Sequence, residues 1–380
     1  MKKRGWIRYF FAVLAVLFLF LTVSCRDQAD VTRKLRDLGI PAAAQYTDGS
    51  AAEIRARCSW DMVVHEGNIY VGCGDYDTNM GPVTVWAYHP DEGAWHASDS
   101  PLPDEQIKRY AMIDGTLAIL GTDPKADWDT GSYYLLEDGA WREHRVLPSG
   151  IHCFDTVNFE GKRFFGLGVN SGDFPVVVTE DGETFSPVFF LRDGEAVDTS
   201  ATFVRVYNFV VFDGSLYAFL TVGDENAAKY DIYRYDGTSF CYFSTPPAVF
   251  LRSYDMPHTG EFGGFATFLN GYCYFISEDM VNFRPWRVGD SDLACDVTVI
   301  GDTIYALAYT AVDDHTYQSA VYASEDGKTF QKLFYFTDEI PANCFVYEDG
   351  TFYFSMGRYY DAHSAEMGRV LAFDYALTEK

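Results

Sequence analysis

Short runs of alternating apolar and polar residues recur along the chain after residue 58, and an acidic residue with a glycine separates neighbouring runs. The pattern is found at residues 66–70, 114–117, 160–164, 213–217, 301–305 and 349–353. An acid–glycine pair between two alternating runs is typical of a two-residue hairpin turn, because glycine adopts positive φ without steric cost. The pattern therefore predicts consecutive antiparallel strands.

A second kind of turn, which contains an aspartate and is closed by an aromatic residue, alternates with these hairpins along the chain. The closing aromatics are Trp95, Trp141, Phe185, Phe240, Phe283 and Phe330, which lie 46, 44, 55, 43 and 47 residues apart. Two hairpins about every 45 residues are typical of the four-stranded antiparallel blades of a β-propeller. We therefore predict an all-β propeller over residues 58–380, with seven blades and with six as the alternative. The last repeat has no second aromatic turn, so the N-terminal segment is a candidate for its fourth strand.

The first 24 residues have the pattern of an export signal. Basic residues at positions 2, 3, 4 and 8 precede an apolar run over residues 9–23, which is long enough for a signal core and short for a membrane span. The segment Leu21-Thr22-Val23-Ser24-Cys25 resembles the lipobox of bacterial lipoproteins, with Thr22 where that family prefers leucine.

This resemblance implies that residues 1–24 are a cleaved signal peptide and that Cys25 is lipidated. The lipid would anchor the protein to a bacterial membrane in the cell envelope, facing outside the cytoplasm. Residues 25–57 would then be a tether between the lipid and the propeller. An uncleaved anchor helix and an ordinary signal that ends at Cys25 by chance are the alternatives.

Composition agrees with a large β core and narrows the choice of partners. Apolar residues make up 48% of the chain and aromatic residues 17%, and aromatics favour strands. The formal net charge of −26 argues against nucleic acid as a partner, because phosphates would be repelled. Seven cysteines follow Cys25, without the spacing of a zinc site, and we expect most of them to be buried free thiols.

Two kinds of segment resemble repeats of known propeller families. Residues 67–103, with Cys73-Gly74 in place of a double glycine, resemble a kelch repeat. Residues 179–185 and 324–330, each with Glu-Asp-Gly followed by Thr-Phe, resemble the Asp-box turn of sialidase-like propellers. Both resemblances imply a propeller. In the sialidase-like family these turns are structural, so neither resemblance implies an activity.

Charged residues recur where the predicted inner strands begin, at positions that would surround the central opening. The candidate ligand-binding residues at these positions are Asp61, Arg109, His152, Asp155, Arg205, Arg252 and Asp296. A ring of this kind binds a polar ligand, or its acids and arginines pair with one another. The sequence leaves both interpretations open.

Long acidic loops on the same face add Tyr76 and Trp128 as candidate ligand-binding residues. Aromatic rings stack on sugars and carboxylates accept hydrogen bonds from hydroxyl groups, so carbohydrate is one candidate ligand and a cationic or protein ligand is another. A solvated surface is the alternative. Residues 75–79 alternate oxygen ligands as calcium loops do, but Met80 stands where an EF-hand needs glycine, so a plain polar loop is preferred. No other cofactor is predicted.

The motifs favour a binding or scaffold module over an enzyme. We find no nucleophile motif and no phosphate loop, and the eight histidines are scattered without metal-ligand spacing. The alternative is a divergent glycoside hydrolase or lyase of the sialidase-like type, since paired carboxylates at the opening would permit that chemistry. The Arg-Ile-Pro motif of sialidases is absent from the chain.

Overall fold

The computed structural model of the protein describes residues 29–75, 77–124, 130–148, 150–169, 174–200, 203–223, 230–250, 260–271, 273–291, 293–358 and 364–377. This part of the chain is almost entirely β-structure. Its N-terminal part contains β1 (Ala29–Asp30), a 3-10 turn (Thr32–Lys34), β2 (Arg36–Asp37), a second 3-10 turn (Pro41–Ala44) and the short helix α1 (Ala51–Ala56).

The remaining strands follow one another as antiparallel meanders. Sheet A contains β3 (Asp61–His65), β4 (Asn68–Gly72), β5 (Trp86–His89) and β6 (Ala94–Ala97), and sheet B contains β7 (Tyr110–Ile113), β8 (Thr116–Leu120), β9 (Thr130–Glu137) and β10 (Ala140–Pro148). Sheet C contains β11 (Gly150–Phe159), β12 (Lys162–Val169), β13 (Val176–Thr179), β14 (Ser186–Pro187), β15 (Phe190–Arg192), β16 (Glu195–Ala196), β17 (Phe203–Phe212), β18 (Ser215–Gly223), β19 (Tyr230–Tyr235) and β20 (Phe240–Ser244).

Three further sheets complete the described chain. Sheet D contains β21 (Gly260–Phe262), β22 (Phe265–Asn270), β23 (Cys273–Ser277) and β24 (Arg284–Trp286). Sheet E contains β25 (Leu293–Ile300), β26 (Thr303–Asp313), β27 (Thr316–Ser324) and β28 (Gln331–Asp338), with β1 added at its edge. Sheet F contains β29 (Ala342–Glu348), β30 (Thr351–Met356) and β31 (Val370–Asp374), with β2 as its fourth strand.

The sheets form a closed β-propeller. Each meander contacts the next one in chain order through the first strand of at least one of the two, and β29 of sheet F contacts β3 of sheet A. The N-terminal segment helps to close this ring, because Arg36 and Asp37 of β2 pair antiparallel with Ala372 and Leu371 of β31. The all-β, four-stranded antiparallel architecture was predicted from the hairpin spacing.

The predicted number of separate blades was wrong. Within the described residues, sheets A, B, D, E and F form five separate blades, whereas we predicted seven blades, with six as the alternative. Sheet C instead joins two four-stranded meanders, because Gly168 and Val169 of β12 pair with Arg205 and Val204 of β17. A Cβ on Gly168 would lie 2.7 Å from the side chains of Arg205 and Phe154, so a larger residue at this position would force these side chains to move. The hairpin repeat in the sequence does not reveal such pairing between meanders.

The expected tether is also largely part of the propeller. Residues 29–57 pack against the body, and Val31, Ala42, Tyr46 and Ala56 are buried. The short strand β1 pairs in parallel with β28. Burial of these apolar residues stabilises the segment on the body, so the described chain has no free linker before residue 58.

Apolar layers fill the spaces between neighbouring sheets. Ile69 and Tyr88 of sheet A pack with Tyr353 and Val370 of sheet F, and similar buried clusters lie between the other neighbouring sheets. Aromatic side chains make up much of these apolar layers, as the composition predicts. Their rings pack mostly at tilted or edge-to-face angles. Five of the described cysteines are buried free thiols, while Cys241 is partly exposed and Cys273 is exposed.

The acid–glycine turns have the backbone conformation that the sequence predicts. Positive φ at both residues is found at Glu66-Gly67, Asp114-Gly115, Asp138-Gly139, Glu160-Gly161, Asp193-Gly194, Asp213-Gly214 and Asp349-Gly350. Two successive positive φ values match the twist of the flanking strands and are typical of type I′ hairpins. Residues 309–318 form the end of the hairpin β26–β27, where Thr310 pairs with Gln318.

No helix in the described part of the chain is both long enough and apolar enough to cross a membrane.

Candidate functional site at the start of the inner strands

Three of the predicted site residues join neighbouring inner strands. Asp61 accepts a hydrogen bond from the Tyr110 backbone N–H at 2.8 Å, Asp155 accepts one from Phe209 at 2.7 Å, and Asp296 accepts one from Phe345 at 2.8 Å. Each bond links one meander to the next around the ring. All three carboxylates therefore bind backbone groups of the neighbouring meander.

A β-bulge positions two of these aspartates. The register of β11 shifts between Cys153 and Asp155, and that of β25 shifts between Ala294 and Asp296. A bulge turns a side chain away from its own sheet. The second carboxylate oxygen of Asp155 then accepts the N–H of Thr156 at 2.9 Å, so both of its oxygens are bonded.

The two described arginines of the predicted ring also bind protein groups. Arg109 Nη1 lies 3.2 Å from Asp155 Oδ1, and Arg205 Nη1 donates to the carbonyl oxygens of Val169 and Val204 at 2.8 and 2.9 Å. Burial raises the pKa of Asp155, and the charge of Arg109 partly offsets this effect. Arg109 therefore helps to keep a buried carboxylate ionised.

Four chain segments lie side by side at this end of the propeller and form what we call the bridging strip, residues 73–75, 104–107, 121–124 and 151–153. Backbone hydrogen bonds connect Ile107 to Cys73, Glu105 to Thr122 and Asp123 to Ile151. Isolated bridges pair Gly74 with Gln106 and Thr122 with His152. The strip links sheets A, B and C, which brings side chains from distant parts of the sequence together.

The bridging strip carries a carboxyl pair beside a histidine, and we call Glu105, Asp123 and His152 the mouth triad. Asp123 Oδ1 lies 3.1 Å from His152 Nε2, and the two side chains are 21% and 16% exposed. Burial and a hydrogen bond from its carboxyl group to Asp123 raise the pKa of Glu105. Burial raises the pKa of Asp123, and the bond to Glu105 and the charge of Arg205 partly lower it. The raised pKa values of both groups favour one proton shared between the two carboxyl groups.

His152 is neutral at this site. Burial, followed by the charges of Arg205 and Lys108, holds its pKa well below the ordinary value. Its ring stacks on Phe154 with centroids 5.0 Å apart, which fixes the orientation of the imidazole. The mouth triad thus combines a carboxyl pair that shares a proton with a neutral imidazole next to Asp123.

The strip itself contains a further buried acid. Asp104 is fully buried and accepts a hydrogen bond from the Thr122 N–H at 3.3 Å. Burial raises its pKa to about 7. Sequence reasoning missed Asp104 and Glu105, because they lie in the connection between sheets A and B, where no periodic pattern marks them. The acid pair directly after Pro103 was the only signal in the sequence.

The other predicted site residues divide into two groups. Arg252, Trp128, Tyr76 and the lipidation residue Cys25 lie outside the described residues. Of the described ones, Arg109, Asp155 and Arg205 are brought together with His152 of the strip, whereas Asp296 links sheets E and F. Asp75, in the loop over residues 75–79, accepts hydrogen bonds from the Asp77 N–H and the Thr78 hydroxyl, each at 2.8 Å. A plain polar loop stays the preferred interpretation of this segment, with calcium binding as the alternative.

Comparison with known proteins finds structural neighbours at low sequence identity. No protein-family model matches the chain. No curated protein sequence matches it either.

Several solved structures align with the chain at low identity. PorZ, a surface component of the type-IX secretion system of Porphyromonas gingivalis, is 13% identical over 78% of this chain and 35% of its own, with a TM-score of 0.42. An ulvan lyase from a new family of polysaccharide lyases is 13% identical over 82% and 90%, with a TM-score of 0.48. The β-propeller domain of the trilobed protease from Pyrococcus furiosus is 13% identical over 72% and 78%, with a TM-score of 0.39. This chain thus spans about a third of the secretion protein.

Proposed function

We propose that the protein is an exported, lipid-anchored β-propeller that binds a polar ligand at the mouth triad, with carbohydrate as the ligand class. The observation that carries this proposal is the convergence of Glu105, Asp123 and His152 from three chain segments. Buried carboxyl and imidazole groups cost free energy to assemble, so a structure that needs them only for stability would do better with apolar residues.

The chemistry of the triad suits hydroxyl groups. The Asp123 carboxylate accepts hydrogen bonds from hydroxyls, and an imidazole nitrogen accepts or donates one. Trp128 follows Asp123 by five residues in the sequence, and an aromatic ring near a carboxylate is a common arrangement for holding a sugar. In this proposal the kelch-like and Asp-box-like repeats provide the propeller scaffold and take no part in ligand binding.

A glycan array with the chain from residue 26 onward tests the proposal. We expect binding to at least one glycan class, and we expect Asp123→Asn to weaken it by about tenfold or more, since a hydrogen bond to a charged group contributes about 1.5–3 kcal/mol. Asp138→Asn, at an exposed turn acid of sheet B, is the matched control and should bind like the wild type. Equal binding by Asp123→Asn and the wild type would exclude the mouth triad as the site.

The lipid anchor would hold the propeller close to the membrane. Cys25 precedes Ala29 of β1 by four residues, and an extended chain covers at most about 14 Å in that length. Because β1 lies at the edge of sheet E, the membrane would face this edge. We expect Cys25→Ser to move the protein from the membrane fraction to the soluble fraction and to abolish incorporation of radiolabelled palmitate. Unchanged membrane association of Cys25→Ser would contradict the anchor.

The second candidate function is a divergent glycoside hydrolase or lyase. The shared proton of Glu105 and Asp123 favours it, because a carboxyl pair with separated proton affinities can act as acid and base. Turnover of aryl glycosides, or release of unsaturated uronate from acidic polysaccharides, would support this function if Glu105→Gln abolished it. Ligand binding without turnover would favour the binding module.

A further inference from the structure

The outer hairpin of sheet A brings two histidines and a glutamate together at a place unrelated to the mouth triad. Ala87 of β5 pairs with His96 of β6, and His89 pairs with Ala94. Side chains two residues apart on a strand point to the same side, so His89 and His96 are diagonal neighbours on one face. Their ring centroids lie 4.2 Å apart.

The turn of this hairpin places Glu92 beside the two rings. The N–H groups of Glu92 and Gly93 both donate to the His89 carbonyl oxygen, and Gly93 has φ +64. This compact turn folds Glu92 back over the strands. Its Oε2 then lies 2.8 Å from His96 Nε2.

We propose that His89, Glu92 and His96 bind a divalent zinc ion. The ligand atoms of the three side chains all lie within 4.8 Å of one another. Two imidazole nitrogens and a carboxylate form a donor set that zinc prefers, with metal–ligand distances of about 2 Å, whereas calcium and magnesium prefer oxygen alone. Glu92 and His96 are exposed, so their side chains are free to rotate the short distance that metal binding needs.

The surroundings of the site attract cations. His89 and Glu92 also line a cavity of about 740 Å³ between sheets A and F. The carboxylates that line it are Glu66, Asp91, Glu92, Glu348 and Asp349. The single arginine in the lining, Arg36, is paired with Asp374 at 2.8 Å. Because these five carboxylates share the cavity with a single arginine, their negative charge raises the local concentration of a divalent cation.

Two imidazoles and one carboxylate leave a fourth tetrahedral position for water or for a group in the cavity. Zinc would also fix the outermost strand of sheet A, because its ligands come from β5, the turn and β6. The proposal is independent of the proposed ligand binding at the mouth triad, which lies on other residues.

Isothermal titration of the chelator-treated full chain with zinc chloride tests this proposal. We expect one zinc per chain, no binding of magnesium, and a rise in the melting temperature with zinc. His96→Ala and Glu92→Gln should each weaken binding by more than about 100-fold, since loss of even an outer-shell partner costs about 10- to 100-fold. Cobalt should give a visible spectrum typical of tetrahedral nitrogen–oxygen coordination.

A similar histidine–glutamate pair provides the matched control. In sheet B, His144 Nε2 lies 3.9 Å from Glu137 Oε1, and the described residues place no second histidine beside them. His144→Ala should bind zinc like the wild type. The proposal is overturned if the wild type binds no zinc or if His96→Ala binds it with unchanged affinity. Because His96 and Glu92 are exposed, their variants remain informative even if His89→Ala fails to fold.

Discussion

Aspartates make similar backbone hydrogen bonds in two regions of this propeller, with opposite electrostatic consequences. In the outer turns, Asp326 accepts the N–H groups of Lys328 and Thr329, only two and three residues away. At the inner strands, Asp155 accepts the N–H of Phe209, 54 residues away. The backbone bonds lower the pKa of the exposed Asp326, whereas burial raises the pKa of Asp155. The turn acid stabilises its own loop, and the inner acid joins two meanders.

The difference shows that the role of a carboxylate depends on the group that it contacts and on how deeply the carboxylate is buried. An exposed acid gains hydrogen bonds at little desolvation cost. A buried acid must offset a large desolvation cost, and Asp155 does so with two backbone N–H groups and Arg109. Four substitutions test this comparison.

The largest effect is expected from Asp155→Ala. It removes the link to β17 and leaves Arg109 without its buried partner, and breaking such a pair costs about 3–5 kcal/mol. Urea unfolding followed by circular dichroism measures the loss. Asp155→Asn keeps an oxygen acceptor for the Phe209 N–H and should cost less. A loss below about 1 kcal/mol for Asp155→Ala would show that the inner acids do not join the meanders.

The next effect concerns pH. Asp104 has a pKa of about 7 in the folded protein and a lower, ordinary value when unfolded. A raised pKa means that its favourable contribution is complete below about pH 4 and is lost as the pH rises through 7. Asp104→Asn should therefore match the wild type at pH 4 and be more stable at pH 8 by a few kcal/mol, since one pKa unit corresponds to about 1.4 kcal/mol.

Melting temperatures between pH 4 and pH 8 show whether the stabilities of Asp104→Asn and the wild type coincide at pH 4 and separate at pH 8. Asp138→Asn is the control, and its curve should run parallel to that of the wild type. If Asp104→Asn were less stable than the wild type at pH 8, the buried carboxylate would be a stabilising group, and the contrast between the two regions would fail.

A smaller loss is expected from Asp326→Ala in the outer turns. Two backbone N–H groups lose their acceptor, but water replaces it at this exposed position, so the cost is about 1 kcal/mol. Because the pKa of Asp326 is lowered, its contribution is present above about pH 4 and disappears as the pH falls further, the reverse of Asp104. Thermal unfolding at pH 3 and pH 7 separates the two cases. A loss as large as that of Asp155→Ala would contradict a local role.

The smallest effect is expected from Glu160→Asn, and it is a gain. Glu160 is exposed and has φ +51 in a type I′ turn, a conformation that asparagine adopts at lower cost. We expect a gain of up to about 0.5 kcal/mol in thermal unfolding. A clear loss would show that Glu160 has a contact beyond its turn.

Parts of the site were accessible from the sequence and parts were not. The positions of Asp61, Asp155 and Asp296 follow from their constant distance to the hairpin turns, but their partners belong to other meanders. Glu105 and Asp104 carry no periodic signal. The histidines at 89 and 96 are seven residues apart, and only the pairing register of β5 and β6 makes them neighbours on one face.

The chain by itself determined the strands, their antiparallel order and the acid–glycine turns, because a two-residue turn depends on the φ tolerance of those two residues and on nothing distant. Tertiary structure decided which sheets merge, where residues 29–57 pack and which polar side chains meet in the bridging strip. These outcomes depend on which sheet edges come into contact and how deeply each group is buried, and no local pattern records either quantity.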